Sequence, residues 1–561
     1  MEKKFSIEVM VLGIFTVLFL WCAIAKPMDN KIIHEFPYGY LASDSVFHAS
    51  TTEWMMDADQ VKYAAPYMMG HYTDVLDIHP PFFFEITGAF GFIGNINAYD
   101  ASPIMAGILI TLVALLTYVI IRRINNNVAM ISLALPFMIF LHPFSQVFTF
   151  GQWLFISSFP MMIATIWTFL NIKEKGMEII AGIFLSATAL AHQPQFAYLF
   201  GIIAILFVKE FKKEDLKKDI VKYSIIGLIV ILLSGYSLLI FYNSWLQNKG
   251  VEIEGIPLFQ LDLNYAQTSV EGRGFSDITI ENFGLIAFVI IAGMVLAGIS
   301  LSKNKRNEII SLFFLFAISM LVYFGFGKRA FAHRWFWPIT LMYFLGFAIY
   351  FVVKRIEPIK NYTGLIAAFL IVFSFFVIQS KVVNTQGMID QYSWDSFRWI
   401  KDNLQDKEIY YFWDDAITQG ATRYLSGAVA FRVNTDQYRE SLTKQTIFDK
   451  YKFRQPVAYA NFVCEKGFLK FGWYEDDVKK PTSLCGDIPI TVEREIFEKS
   501  ICDLEYTRFA IVSQQPAFAE YNKAIVTLLL KNSWIKIIHQ NPAYVLLKNE
   551  KPGVDCIELP K

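Results

Sequence analysis

Residues 7–26 read IEVMVLGIFTVLFLWCAIAK, a run whose only charges are Glu8 near its start and Lys26 at its end. About 20 mostly apolar residues are what an α-helix needs to cross a bilayer. Outward from that run, similar stretches recur at 101–121, 128–141, 153–171, 177–190, 195–208, 222–243, 283–301, 308–326, 335–353 and 362–380. Three of them are short. Those at 128–141 and 177–190 need flanking residues such as Pro143 or Ala191, or a slightly broken helix, to cross. Across all 561 residues, 55% are hydrophobic and 18% charged, and the 53 phenylalanines are too widely spread for one signal or anchor. This excludes a simple soluble enzyme. The predicted fold class is a polytopic α-helical membrane protein of about 11 transmembrane helices, with an extracytoplasmic C-terminal mixed α/β domain.

Loop charge sets the predicted orientation. Lysine and arginine concentrate in short cytoplasmic loops. With the N-terminus inside, those loops hold Lys3, Lys4, Arg122, Arg123, Lys173, Lys175, the run from Lys209 to Lys222, Lys303, Lys305, Arg306, Lys354, Arg355 and Lys360, 18 basic residues in all. The opposite loops, at 27–100, 142–152, 191–194, 244–282 and 327–334, are far longer in sum and hold seven. The multi-pass chain therefore sits in the cell membrane with a cytoplasmic N-terminus, and an odd number of spans leaves its C-terminus outside. The zero net formal charge gives no reason to propose nucleic acid as a partner.

Residues 1–380 form the predicted membrane body and 381–561 a separate domain. The tail carries 24 basic and 24 acidic residues. Its apolar stretches at 409–413, 509–512 and 543–547 read as buried strands, and an amphipathic segment, 393–400, leads into it. Cys464, Cys485, Cys502 and Cys556 all lie there, enough for two bridges in an oxidising compartment with three pairings open. Buried free thiols are the alternative. Neither a phosphate-binding loop nor a dinucleotide-binding glycine pattern occurs.

The first long loop, 27–100, is rich in carboxylates: Asp29, Glu35, Asp44, Glu53, Asp57, Asp59, Asp74, Asp77, Glu85 and Asp100 face only Lys31 and Lys62 as basic partners. Such a cluster needs water, a metal or a proton-transfer task. Aromatic residues run through it at 38–48, YGYLASDSVFH, so it folds rather than trails. Asp74, Asp77 and His79 are candidate acidic or metal partners of Asp44, with Mg or Mn the fitting ions. Hydrogen bonding, acid–base work and loop structure are the other readings of these residues. Pro80 and Pro81 suit a helix entry, and 82–93 reads as an interfacial helix.

A first span, a long external loop with an early acid at Asp44, a His-x-Pro-Pro-Phe-Phe-like stretch at His79 to Phe84, many further spans and an external tail make a layout. It resembles the GT-C type of multi-spanning glycosyltransferases, which use lipid-linked sugar donors, with no branch assigned. The resemblance implies that Asp44 is the catalytic base or a metal-associated residue. The paired acidic motif and the Trp-Trp-Asp-Tyr-Gly motif of the oligosaccharyltransferase branch are both missing, since Ser45 and Val46 follow Asp44 and the tail offers only Phe412-Trp413-Asp414-Asp415.

The late edge Gly327-Lys328-Arg329-Ala330-Phe331-Ala332-His333-Arg334-Trp335-Phe336-Trp337 breaks the charge rule with three cations outside. Lys328, Arg329 and Arg334 can grip a lipid donor's phosphate, with Trp335 and Trp337 at the interface. Pairing with acids or lipid headgroups is the competing reading. His192, Gln193 and His333 are candidate substrate-binding groups, and the turn at 142–146 is another external edge. The loop 244–282 is a candidate mobile cover. The leading expectation is transfer of a sugar from a polyprenyl-phosphate carrier to an extracytoplasmic glycan or lipid acceptor. A membrane transporter or lipid flippase, and a noncatalytic assembly protein with a partner-binding tail, are the alternatives. Oligomeric state is left open.

Overall fold

The computed structural model describes residues 2–39, 44–58, 80–149, 151–210, 214, 216–247, 282–300, 306–321, 328–382, 389–404, 408–411, 429–432, 461–465, 468–472, 506–510, 526–527, 530 and 533–551. They fall into two compact units. One comprises Met1–Ile32, Pro80–Phe90 and Ala101–Thr385, the other Ile33–His79, Gly91–Asp100 and Gln386–Lys561.

Helices dominate. In chain order they are α1 (Glu2–Leu20, continued by a π turn over Trp21–Ala25), α2 (Asp44–Ala58), α3 (Phe82–Gly94), α4 (Ala98–Ile124), α5 (Asn126–Ser132), α6 (Gln146–Thr149), α7 (Trp153–Leu170), α8 (Met177–Ala191), α9 (Gln193–Glu210) and α10 (Leu216–Gln247). Then come α11 (Ile286–Ser300), α12 (Arg306–Met320), α13 (Trp337–Thr340), α14 (Met342–Val353), α15 (Thr363–Gln379) and α16 (Gln391–Asn403). Each stretch read as a span is mainly helical among the described residues. Among the described residues, five helical segments are long and apolar enough to cross a membrane: Ile7–Ala25, Ala98–Ile124, Trp153–Leu170, Leu216–Leu239 and Ala332–Val353. The others are shorter apolar helices.

Local chemistry explains the shortest. Asn125 caps α5, its side chain accepting from the backbone N–H of Asn127 at 2.9 Å and of Val128 at 3.2 Å. The α-helix stops at Ser132, and a 3₁₀ segment, Leu135–Phe140, carries the chain on with Pro136 near its start. Proline has no N–H to donate, so the helix breaks where the sequence was too short to cross unbroken. Arg122 and Arg123 end α4, where cations complement the exposed carbonyls of a helix C-terminus.

Close approach holds the membrane unit together. α14 packs on α11 and on α5. A Cβ on Gly293 would overlap the Phe344 carbonyl oxygen, and one on Gly346 would overlap Ser132 Oγ while standing 2.8 Å from the Val128 carbonyl. Only a hydrogen fits at these two positions. Phe19 of α1 meets Phe137 at 5.3 Å edge-on and Phe140 at 5.0 Å, joining the first helix to the broken one.

Glu8 is the one buried acid of the first span. Its Oε1 accepts from Arg122 Nε and from Tyr118 OH, each at 2.5 Å, while Asn126 Nδ2 donates to Oε2 at 3.2 Å. Nearby in the same unit, Arg123 Nε donates to Glu308 at 3.1 Å. Three helices thus share one carboxylate.

The second unit holds α2, α16 and a five-stranded sheet of order β2-β1-β5-β7-β6, from β1 (Glu408–Tyr411), β2 (Val429–Arg432), β5 (Tyr506–Ala510), β6 (Ile535–Gln540) and β7 (Tyr544–Asn549). β1 runs parallel to β2 and β5, and β7 antiparallel to β5 and β6. β3 (Asn461–Glu465) and β4 (Phe468–Gly472) make a separate antiparallel pair. Asp390 caps α16 by accepting from Ser393 N–H at 2.7 Å, and the helix buries Trp394, Phe397 and Ile400 at helical spacing. Ile400 and Leu404 pack on Leu546 of β7.

Two predictions test this packing. Gly346→Ala should destabilise the protein by about 1–3 kcal/mol through overpacking, read as a lower Tm in detergent, and an unchanged Tm would show that α5 and α14 are not in contact. Glu8→Ala strands the donors of Arg122, Tyr118 and Asn126. Because the Arg122 side chain is 52% exposed, the expected loss is about 1–2 kcal/mol, well below that of a fully buried pair.

Candidate functional site

Asp44 stands in the first turn of α2 and is exposed. The helix it opens is unusually polar on its buried side: Ser45, His48, Ser50, Thr51 and Thr52 are all buried. Two of these hydroxyls are spent locally, Ser50 donating to the Val46 carbonyl at 2.7 Å and Thr52 to that of His48 at 2.9 Å. A carboxylate at the exposed head of a buried, ordered helix can take a proton or hold a hydroxyl without its own backbone shifting. Glu53, further along α2, lies 3.7 Å from Lys401 Nζ of α16. Asp74, Asp77 and His79 lie outside the described residues.

The same unit contains a buried imidazole–carboxylate pair that sequence reading passed over. Asp100 is fully buried. It accepts from the His34 backbone N–H at 2.9 Å and pairs with His34 Nδ1 at 2.7 Å. The ring lies flat on Tyr38, with centroids 4.8 Å apart and planes 2° from parallel. Tyr99 OH donates to the His34 carbonyl at 3.1 Å and accepts from Asn97 Nδ2 at 2.9 Å. Tyr99 also meets Trp394 of α16 edge-on at 5.1 Å. Sixty-six residues separate His34 from Asp100, and no local pattern announces such a pair.

In the membrane unit, Lys328 to Phe336 form a 3₁₀ helix that leads into α13. Lys328 and Arg329 open it, and Arg334, half-buried, closes it. Trp335 and Trp337 are buried inside the unit rather than displayed at its surface. Their indole N–H groups explain why: Trp335 Nε1 donates to Gln146 Oε1 at 3.2 Å and Trp337 Nε1 to Ser319 Oγ at 2.7 Å. The turn at 142–146 thereby joins the late edge.

His333 is 1% exposed, and among the described residues neither of its ring nitrogens has a hydrogen-bond partner. Aromatic rings surround it: Phe155 at 4.9 Å, Tyr198 at 5.4 Å and Phe159 at 5.5 Å. Phe155 also meets His192, edge-on at 5.7 Å. His192 ends α8, its backbone N–H donating to Thr188 at 2.9 Å, and its Nδ1 hydrogen-bonds Gln195 Oε1. Gln195 is completely buried and its Nε2 has no partner. Unmet buried donors and acceptors of this kind cost about 1–3 kcal/mol each, so the structure carries a local penalty where His192 and His333 converge. Gln193, also buried, begins α9.

Among the described residues no three His, Cys, Asp or Glu side chains group as a metal site. The proposed partners of Asp44 fall outside those residues, so the chemistry assigned below rests on the chain's own side chains. Cys464 lies on β3, and Cys485, Cys502 and Cys556 are outside the described residues.

No protein-family profile and no curated protein sequence matches the chain. Solved structures do. ArnT from Cupriavidus metallidurans in the apo state is 10% identical, with 96% of this chain and 97% of that one covered at a TM-score of 0.57. The mycobacterial arabinofuranosyltransferase AftD is 10% identical, covering 98% of this chain at a TM-score of 0.53. The Archaeoglobus fulgidus oligosaccharyltransferase complex with Zn and sulfate is 12% identical, with 91% of this chain and 70% of that chain covered at 0.51. This chain spans 64% of the archaeal enzyme in its apo structure and 40% of AftD. The agreement over nearly the whole chain, at identities this low, shows that the protein has the GT-C fold of multi-pass membrane glycosyltransferases.

Proposed function

We propose that the protein is a membrane glycosyltransferase that moves a sugar from a polyprenyl-phosphate carrier to an extracytoplasmic glycan or lipid hydroxyl. The observation that carries this reading is Asp44, exposed on the first turn of an ordered helix in a chain with the GT-C fold. The loop-charge bias supports a cytoplasmic N-terminus, and about eleven spans then leave residues 27–100 and the tail 381–561 outside. The ArnT structure bound to undecaprenyl phosphate, similar over 99% of both chains at a TM-score of 0.55, supports a polyprenyl carrier.

In the reaction, Asp44 takes the proton of the acceptor hydroxyl or positions that hydroxyl, and its oxygen attacks the anomeric carbon. The bond from that carbon to the carrier phosphate breaks, and the phosphate leaves with both electrons. Arg334, with Lys328 and Arg329, neutralises the departing dianion. One displacement inverts the anomeric centre and needs no covalent enzyme intermediate. His192, Gln193 and His333 contact the substrate. A divalent metal, Mg or Mn, held by Asp44 with Asp74, Asp77 and His79 would supply further charge, and the zinc in the archaeal neighbour supports testing for it. The loop 244–282 closes over the donor, and the tail cysteines form at least one bridge.

Asp44→Asn should lower transfer at least about 100-fold while leaving yield and Tm in detergent unchanged. The assay is incubation of the purified full chain with polyprenyl-phosphate sugars, with released carrier and glycosylated acceptor detected by mass spectrometry. Near-normal turnover by the variant would remove Asp44 from the chemistry. Arg334→Ala should weaken binding of bare undecaprenyl phosphate about tenfold, measured by intrinsic fluorescence, and Arg334→Lys should restore part of it. Translocation of the carrier in sealed vesicles without bond formation would instead identify a flippase.

A further inference from the structure

We infer that the His192–Gln195–His333 cluster reads the hydroxyl groups of an uncharged sugar, separately from the phosphate that carries it; this rests on the donor reading proposed above. The argument starts from which hydrogen-bonding groups are left over. Gln195 Oε1 already bonds His192 Nδ1, so the group left unmet on the amide is its donor, Nε2, buried with no partner among the described residues. His333 is buried with both nitrogens unpartnered. A neutral imidazole offers one N–H and one lone pair.

The leftover set is thus a donor on Gln195, whose partner His192 shares the Phe155 ring with His333, and an imidazole that both donates and accepts. A phosphate only accepts, and the imidazole lone pair would repel it. Sugar hydroxyls both donate and accept, so neighbouring hydroxyls of one ring can meet the amide donor and the imidazole. The surroundings agree. Phe155, Phe159 and Tyr198 present aromatic rings within 5.5 Å of the His333 ring, which suits the apolar C–H faces of a sugar. None of the residues named at this cluster is an acid, and a charged amino or carboxyl substituent buried there without a counter-ion is strongly disfavoured. The cation needed for phosphate is the next residue along, Arg334. The two functions therefore sit side by side on one turn of chain: His333 faces inward among rings, and Arg334 is half-exposed.

The test uses the full-length protein in detergent and four probes: undecaprenyl phosphate alone and the same carrier bearing a neutral hexose, a neutral pentose or an amino sugar. Wild type should bind at least one neutral sugar carrier about tenfold more tightly than the bare carrier, with no such gain for the amino sugar. His333→Phe should erase that gain while leaving bare-carrier affinity unchanged. His333→Gln, which keeps a donor and an acceptor, should recover most of it. His333→Phe should also raise Tm, because it removes unmet polar atoms from an aromatic surround. A gain that survives in His333→Phe, a preference for the amino sugar, no gain from either neutral sugar, or a fall in Tm overturns the assignment while the donor reading stands. Failure of wild type to bind even undecaprenyl phosphate overturns the donor reading itself.

Discussion

Inside hydrocarbon, every polar group must find its partner within the chain, and the membrane unit is built around meeting that demand. Glu8 shows it most sharply. A carboxylate in the first span is tolerated because Arg122, Tyr118 and Asn126 all reach it. That requirement fixes the ends of α1, α4 and α5 against one another, and the aromatic contacts from Phe19 to Phe137 and Phe140 continue the same join along α1. Small hydroxyls obey the rule differently. Thr111, Ser132, Ser186 and Ser234 each donate to the carbonyl four residues earlier, at 2.7–2.8 Å, and so disappear as polar groups.

Against that background the exceptions carry meaning. A helix bundle that settles Glu8 with several donors nevertheless leaves His333 and the Gln195 amide unmet. Trp335 and Trp337, the neighbours of His333, each have an acceptor for their indole N–H. A buried unmet group in a helix bundle calls for a specific explanation, and the one proposed above is a bound hydroxyl.

The apolar helices were legible because a bilayer favours long apolar runs, which read as helix from composition and length alone. A slightly broken helix was one of two expectations for the short stretch 128–141, and the structure puts the break after Ser132, ahead of Pro136. The strands at 408–411, 506–510 and 544–549 follow from local β-forming runs, but their order does not: β5 separates β1 from β7 through pairings dozens of residues apart. Asp44 was readable as an early loop acid. The pairing of His34 with Asp100 and the meeting of His192 with His333 were not, since each joins side chains brought together only by folding. The burial of Trp335 and Trp337 within the unit was not legible for a related reason. Amphipathic rings suit a membrane surface in general, but here each indole N–H has a specific acceptor inside the unit.

The absence of any sequence match beside a whole-chain structural match follows from the same physics. Helices that satisfy their backbones internally ask of most side chains only that they be apolar, and Leu, Ile, Val and Phe interchange freely at lipid-facing positions. The fold then survives while sequence identity decays. The positions that resist exchange are the few where backbones nearly touch, such as Gly293 and Gly346, and the few polar groups the bilayer would otherwise expel. Those polar groups are too sparse and too far apart in sequence to form a recognisable profile. Chemistry in such a protein resides in isolated side chains on a tolerant frame. The frame identifies the architecture, while the selectivity proposed for this chain rests on the hydrogen bonds left unmade at His333 and Gln195.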